Sequence, residues 1–441
     1  KIQDKKAANA LVNSIKICDP AVGSGHFLVS ALNEMIAIKH DLGILQDENG
    51  KGFRDYRFEV ENDELVVWDE DEDRLFQYNA KSKESQRIQK TLFHEKQTII
   101  ESCLFGVDIN PNSVKICRLR LWIELLKNAY YKNETELETL PNIDINIQCG
   151  NSLISRFDLD TDLKDVLKEA KKKHNITLKQ YKNAFQRYRQ TNDKAVKYEM
   201  TELIQKVKTA FRTSIARNSR EHKQLAKLSE ELYYKYNSTS LFEARLTKKQ
   251  KADKATLTKK VDALKTKIDE IENNVIYENA FEWRFEFPEV LNEKGEFVGF
   301  DVVIGNPPYA VVEKTRNSFL QPYASIHEYC KANDNYNQVL GGKLNLYRLF
   351  LKRAYDILKS GNEFGYIIPL TLIGDNSLDT TRHFIFHGFE NLQLVCFPQK
   401  DNAKKRVFED AKQSTLIITG QKSDNPLKNK SLSVKTYPFN S

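Results

Sequence analysis

Asn306, Pro307 and Tyr309 close the run FDVVIGNPPYAVV, residues 300–312, and their types and spacing suit them to chemistry. Val302, Val303 and Ile304 have the apolar character of a strand end, and Gly305 stops it. Two successive prolines then fix φ at about −65° and remove two amide donors. Nearby carbonyls are left free to accept. The Asn306 side-chain oxygen and the Pro307 carbonyl can together accept both hydrogens of one exocyclic amine. Tyr309 can stack on the ring that carries it.

A second group lies near the N-terminus. In SIKICDPAVGSGHF an apolar run ends at Asp19, turns through Gly23 and Gly25, and continues with the helical periodicity of FLVSALNEMIAI. Glycines at such a turn let backbone approach a ligand closely, above a helix N-terminus. Phe27 and Leu28 stand where a third glycine would come, so the GxGxxG dinucleotide turn is excluded. Asp108 ends another buried run, CLFGVD, where an acid commonly holds ribose hydroxyls. Capping of the following helix is the alternative. Asn151 in GNSL can read an adenine edge or simply shape its own turn. Together, a glycine turn after one strand and an acid after the next make a nucleoside-type pocket at the carboxyl ends of parallel strands. If Asn306 follows a fourth strand on that edge, its carboxamide faces the same pocket.

The elements that must position these residues are legible as alternating patterns. Residues 52–80 read as an acidic β-hairpin, and residues 84–102 as a helix. In SVKICRLRLWIELLKNAY, after Asn110-Pro111, the residues Val114, Cys117, Leu121 and Leu125 recur at helical spacing. IDINIQCGNSL is a third strand, and FEWRFEFPEVL returns to a strand pattern. After residue 345 come a helix, the strand FGYIIP, a helix near 377–388, and the strands LQLVCF and STLIITG, which can close an edge as a hairpin. Strands alternating with helices predict an α/β fold with a doubly wound, mostly parallel sheet. Residues 156–277 differ in texture. Leu257, Val261, Leu264, Ile268, Ile271 and Val275 step alternately by four and three, a heptad seam that predicts a helical hairpin or coiled coil.

DPAVGSGHF, VDINP, GNSL, IGNPPY, KLNLYRLF and VFEDAKQSTLII, in this order, resemble the gamma class of adenine-N6 DNA methyltransferases. The likeness is strongest to the methyltransferase part of type II and fused type IIG restriction–modification enzymes, over about residues 14–154 and 278–421. It implies a Rossmann-like fold that binds S-adenosylmethionine. Asp19, Ala21, Gly23 and Gly25 match its cofactor loop, Asp108 the ribose-binding acid, and Ile109 the apolar contact to the cofactor's adenine. Asn151 falls where many relatives have Asp. Asn306, Pro307 and Tyr309 match the catalytic motif, with Asn306 also facing the cofactor. Phe408 matches an aromatic on the far side of a flipped base, and Phe397 is the second choice. Relatives carry a further cofactor motif before the first strand and a target-recognition domain after the last, so the resemblance implies a fragment of a longer polypeptide. NPPY by itself also marks enzymes that methylate ribosomal RNA bases or a glutamine amide.

Composition bounds the reading. The 441 residues carry a net charge of +7. Residues 161–270 hold 28 Lys and Arg against 14 Asp and Glu, so this segment supplies all the excess. It marks either a surface for a polyanion or acidic partner, or a solvated helical face. Tyr323, Tyr329 and Tyr336 suggest a mobile substrate loop over 309–347, with a packed cover as the alternative. Six scattered cysteines without a CxxC pair indicate free thiols in a reducing cytosol. His383 and His387 lack a third ligand, so no metal is expected. No apolar run reaches membrane-spanning length, and no nuclease constellation is present. His26 beside the glycine turn reads better as a variable loop side chain than as a cofactor contact.

The expected layout has a first core part at 1–155, a basic helical insertion at 156–277, a second core part at 278–421 and the start of a linker at 422–441. The expected partners are double-stranded DNA and S-adenosylmethionine, with recognition and nuclease domains elsewhere in the polypeptide. A nucleic-acid-binding scaffold with a degenerate cofactor site remains a distinct alternative.

Overall fold

A computed structural model describes the chain except at residues 1, 72, 134–135, 139–145, 157, 161–167, 169–170, 173–176, 192, 219, 237–246, 274–276, 278, 313–320, 398–412, 425–434 and 439–441. The chain forms two compact units. One comprises Lys1–Leu153, Arg189–Asn192 and Val298–Ser441, the other Ile154–Tyr188 and Asp193–Phe297.

The strands, in chain order, are β1 (Ile17–Asp19), β2 (Tyr56–Glu61), β3 (Glu64–Asp69), β4 (Arg74–Leu75), β5 (Leu104–Asp108), β6 (Ile147–Cys149), β7 (Phe300–Gly305), β8 (Leu358–Pro369), β9 (Phe389–Phe397), β10 (Thr415–Lys422) and β11 (Lys435–Pro438). Eight of them make one sheet in the order β11-β9-β10-β8-β7-β1-β5-β6. The pairs β1–β5, β5–β6, β1–β7 and β7–β8 are parallel. β10 runs antiparallel between β8 and β9. The chain first builds outward from β1 to β5 and β6, then returns to lay down β7 and β8 on the other side. The reversal at β1 and β7 is a topological switch point, where ligands of open α/β sheets bind.

Helices α1 (Lys5–Val12), α2 (His26–Asp41), α3 (Lys83–Ser102) and α4 (Pro111–Leu126) belong to the first half of this unit. Leu28, Leu32 and Ile36 of α2, Ile88, Leu92 and Phe93 of α3, and Val114, Cys117, Leu121 and Leu125 of α4 pack into one core with β1 and β5. The helical spacing seen in the sequence of α4 is thus its buried face. Asn110 caps α4 by accepting from the Asn112 amide at 2.9 Å, with Pro111 in the first turn.

Four expectations need revision. The acidic hairpin gains a third short strand, because β4 pairs with β3. FEWRFEF forms a helical turn at Trp283–Glu286 and a 3₁₀ turn at Pro288–Val290 instead of a strand. Its alternating aromatics gave the strand signal, but Phe281, Trp283 and Phe287 bury themselves in a cluster of ring contacts. β9 and β10 do pair, yet β10 sits inside the sheet, and the edge is occupied by β11, which pairs with β9 within the expected linker. Tyr329 and Tyr336 are buried, which suits the packed cover better than the substrate loop, and the Tyr336 hydroxyl donates to the Leu153 carbonyl at 2.6 Å. The side chain of Tyr323 lies outside the described residues.

In the second unit, helices Lys194–Asn218, Arg220–Tyr236 and Lys248–Asn273 follow one another. Leu257, Val261 and Ile268 of the seam are buried. Tyr236, at the end of one helix, donates to Asp253 near the start of the next, as a helical hairpin requires. Lys248, Lys249, Lys251, Lys259, Lys260 and Lys265 are exposed along the last helix. Among the described residues no helix is long and apolar enough to cross a membrane.

Candidate active site

The sheet gathers the residues singled out in the sequence at the carboxyl ends of four neighbouring parallel strands. Asp19 ends β1 and Asp108 ends β5, while Asn151 follows β6 and Asn306 follows β7. The glycine turn between β1 and α2 is held from β5. The Val22 amide donates to the Val107 carbonyl and the Gly23 amide to Asp108 Oδ2, both at 2.9 Å. Asp108 Oδ1 accepts from the Asn110 amide at 2.7 Å. Asp108 is therefore not the cap of α4, a role Asn110 takes. Each of its oxygens keeps a lone pair able to accept a hydroxyl.

Gly23 and Gly25 have φ of +53° and +86°, the left-handed region that favours glycine. At Gly25 the space is closed as well, since a methyl group there would lie 2.5 Å from Cys117 Sγ of α4. Ala21, Gly23 and Ile109 are half-buried and border the turn. His26 is the first residue of α2 rather than part of the loop, and there it is exposed and bonds through its ring to Arg120 at 3.0 Å.

Asn151 is 6% exposed, and its side-chain oxygen accepts from the Leu153 amide at 3.1 Å. That bond shapes its own turn, the structural role the sequence left open. Ser152 ties the same turn to the Pro20 carbonyl at 2.7 Å.

Asp19 is buried, and its Oδ1 accepts from the Ala21 amide at 2.9 Å. Burial first, and the like charge of Asp108, push its carboxyl up to about 7, although the Ala21 bond acts the other way. Between about pH 4 and 7 the folded chain holds a proton that the unfolded chain releases, so this group's contribution to stability falls as pH rises. Asp19→Asn is expected to flatten the pH dependence of the denaturation midpoint over that interval. An unchanged slope in the variant would show that Asp19 does not titrate there.

Beside Asp19 stands the Asn306 loop. A methyl group on Gly305 would come within 2.7 Å of Asp19 Oδ1, so β1 and β7 meet here without room for a side chain. The Asn306 side-chain oxygen is buried and has no hydrogen-bond partner. Tyr309 is fixed in orientation. Its hydroxyl donates to the Ile367 carbonyl of β8 at 3.0 Å, and its ring meets Tyr347 edge-on at 6.5 Å. The segment after it is stapled to the start of helix Leu346–Ile357, with Val312 N to Leu344 O at 2.7 Å and Leu346 N to Ala310 O at 3.0 Å. Pro307 is buried. Phe408 lies outside the described residues, and Phe397 ends β9 half-buried.

Two further groups belong to this neighbourhood and drew no role from the sequence. Asn345 heads helix Leu346–Ile357 without capping it, and its side-chain oxygen is also buried and unpartnered. Tyr366 of β8 pairs with Gly305 and has a buried hydroxyl without a partner. Only the strand register could have marked Tyr366, whereas the Asn-Leu-Tyr step before the helix was visible. Among the described residues no three His, Cys, Asp or Glu side chains are grouped to hold a metal.

The chain is similar to known restriction-modification proteins. A family model described as Eco57I restriction-modification methylase matches residues 102–403. A Methanocaldococcus jannaschii protein provisionally named a type II restriction enzyme and methyltransferase is 25% identical over 379 residues, which are 81% of this chain and 26% of that protein. The Type II methyltransferase M.TthHB8I of Thermus thermophilus is 28% identical over 99 residues, 22% of this chain and 21% of its own. The matched segments thus span about a quarter of the length of these curated relatives. Among solved structures, a nuclease-deletion mutant of the Type ISP restriction-modification enzyme LlaGI covers 97% of this chain and 22% of its own. The TM-score is 0.42 at 12% identity.

Proposed function

Because the chain belongs to the Eco57I restriction-modification methylase family, we propose that it methylates N6 of adenine in double-stranded DNA, with the target base turned out of the helix. The observation that carries this reading is the buried, unpartnered Asn306 oxygen beside a Tyr309 ring whose hydroxyl is pinned. An amino group on a flat heterocycle satisfies that oxygen and lies against that ring.

Adenine N6 is a poor nucleophile because its lone pair is conjugated with the ring. Asn306 Oδ1 and the Pro307 carbonyl would accept its two hydrogens, draw the nitrogen toward sp³ geometry and stabilise the positive charge that builds on it. This is preorganised electrostatic stabilisation and requires no strong general base. Unstacking the base costs a few kcal/mol, and stacking on Tyr309 offsets ~1–3 kcal/mol of that. Phe408 is proposed for the opposite face of the base.

S-adenosylmethionine, the methyl donor, supplies an electrophilic methyl on a sulfonium when bound. The turn is open at Gly23, where a methyl group would meet nothing closer than 4.0 Å, which fits close approach of a ligand, and Asp108 retains lone pairs for ribose hydroxyls. Ile109 would lie against the donor's adenine, and Asp19, Ala21 and Asn151 complete the proposed rim. Target choice and any cleavage are assigned to other parts of a longer polypeptide, in a reducing cytoplasm suited to the free cysteines among the described residues.

Single-molecule sequencing of DNA exposed to the full-length protein tests the reading. N6-methyladenine confined to one sequence context is expected, and DNA left unmodified while RNA or protein gains the methyl group would refute it. For the helical unit we propose contact with the DNA backbone by its exposed lysines. Changing Lys248, Lys251, Lys259 and Lys260 to Glu should weaken binding and flatten the dependence of log affinity on log salt by about 0.9 for each phosphate no longer neutralised. An unaltered slope would leave these lysines as a solvated face.

A further inference from the structure

Tyr366 is 1% exposed in β8, and its hydroxyl has no hydrogen-bond partner. Phenylalanine would fill the same place without a buried, unsatisfied polar atom, so the hydroxyl is a deficit unless another state of the protein gives it a partner. The sheet identifies a candidate. Tyr366 lies opposite Gly305 in the parallel register of β7 and β8. The bare Gly305 is the residue against which the Asp19 carboxylate rests. Paired residues of neighbouring strands share one face of a sheet, so the Tyr366 ring lies on the face where Asp19 fills the space over Gly305. Burial first, then the charge of Asp19, holds the Tyr366 hydroxyl protonated.

We infer that Tyr366 is a positioning residue for Asp19, its hydroxyl donating to the Asp19 carboxylate whenever that group is ionised. In this way Tyr366 sets the pH at which the cofactor site becomes competent. The inference depends on the cofactor site proposed above. A bound sulfonium or ammonium favours an ionised Asp19, which then needs a donor beyond the Ala21 amide. The surroundings leave few alternatives. Cys18 on β1 and Cys117 on α4 are pushed up by burial and stay neutral. Asp108 on β5 bears the same charge as Asp19 and cannot donate. Among the described residues that influence Asp19, Tyr366 on β8 therefore brings a neutral hydroxyl whose hydrogen is unused.

The test is the affinity of the full-length protein for S-adenosylmethionine, measured by calorimetry from pH 5.5 to 8.5. In Tyr366→Phe affinity is expected to rise through a midpoint near 7, where burial leaves Asp19 without a bond from this hydroxyl, and then level off. In the wild type the midpoint should lie about half to one pH unit lower, because the donated bond favours the ionised carboxylate. Tyr366→Phe should therefore lose about three- to eightfold in affinity at pH 5.5 and stay within about twofold of wild type at pH 8.5. Asp19→Asn should abolish the pH dependence, and adding Tyr366→Phe to it should change nothing further. Thermal unfolding of Tyr366→Phe should match wild type or exceed it. A pH-independent loss in Tyr366→Phe would mean a structural role only and overturn the inference. So would a wild-type pH profile in Asp19→Asn. If S-adenosylmethionine binds at no pH, the cofactor reading fails and the inference fails with it. Binding with an unmoved midpoint sinks the inference alone.

Discussion

Asn306→Ala is expected to lower methyl transfer by about 10²–10³-fold, the scale seen when one preorganised polar group facing a developing charge is deleted. The loss should fall on kcat, because the acceptor matters most when charge builds on the nitrogen. Binding of S-adenosylmethionine, measured separately, should stay nearly intact, since Asp108 and the glycine turn remain. Stability should move the other way. The Asn306 oxygen is buried without a partner in the ligand-free chain, a state that costs about 1–3 kcal/mol. Removing it should leave the melting temperature unchanged or raise it. Asn306→Asp keeps an acceptor oxygen and should retain more transfer than Asn306→Ala. Three measurements on the full-length protein separate the readings: kcat, cofactor affinity and thermal midpoint. A variant that loses transfer only because it unfolds, or that still transfers at the wild-type rate, would contradict the role assigned to this oxygen.

The missing amide donors at Pro307-Pro308 were legible because proline lacks an N–H wherever it occurs. The ends of β1, β5 and β7 were legible for a similar reason, as short apolar runs halted by Gly, Asp or Asn. What periodicity could not supply was long-range register. Asp19 and Gly305 are separated by most of the chain, and nothing local announces that the carboxylate fills the space a side chain at 305 would need. Tyr366 gains meaning only from that same register. The misreading of FEWRFEF has a related origin. Alternating aromatics satisfy a strand template, but they serve equally a compact turn whose rings pack on one another. Asn151 shows the converse. Its type suited a ligand contact, while the bond its oxygen makes is with its own turn, at Leu153.

Gly25→Ala is the substitution with the largest expected effect on the site as a whole, because two independent constraints meet there. The backbone at φ +86° disfavours any side chain, at ~1–2 kcal/mol. The new methyl group would also lie 2.5 Å from Cys117 Sγ, and 3.1 Å and 3.2 Å from its Cβ and Cα, overpacking that adds ~1–3 kcal/mol. Reduced freedom of the unfolded chain returns only ~0.4–1 kcal/mol. A net loss of about 1–5 kcal/mol should appear as a lower denaturant midpoint at unchanged slope. Cofactor affinity should fall further than stability alone explains, since the strain is relieved by lifting α2 away from α4 and opening the turn. Combining Gly25→Ala with Cys117→Ala separates the two causes. Deleting the sulfur removes the nearest atom but leaves the backbone angle, and the new methyl group still crowds the rest of residue 117. The double variant should therefore recover part of the stability and little of the affinity, a positive coupling readable in a double-mutant cycle. Full recovery of both would mean that the Cys117 sulfur alone requires glycine at this position. No recovery would place the whole cost in the backbone. The partial outcome is expected because both the left-handed turn and the closeness of α4 are present in one residue.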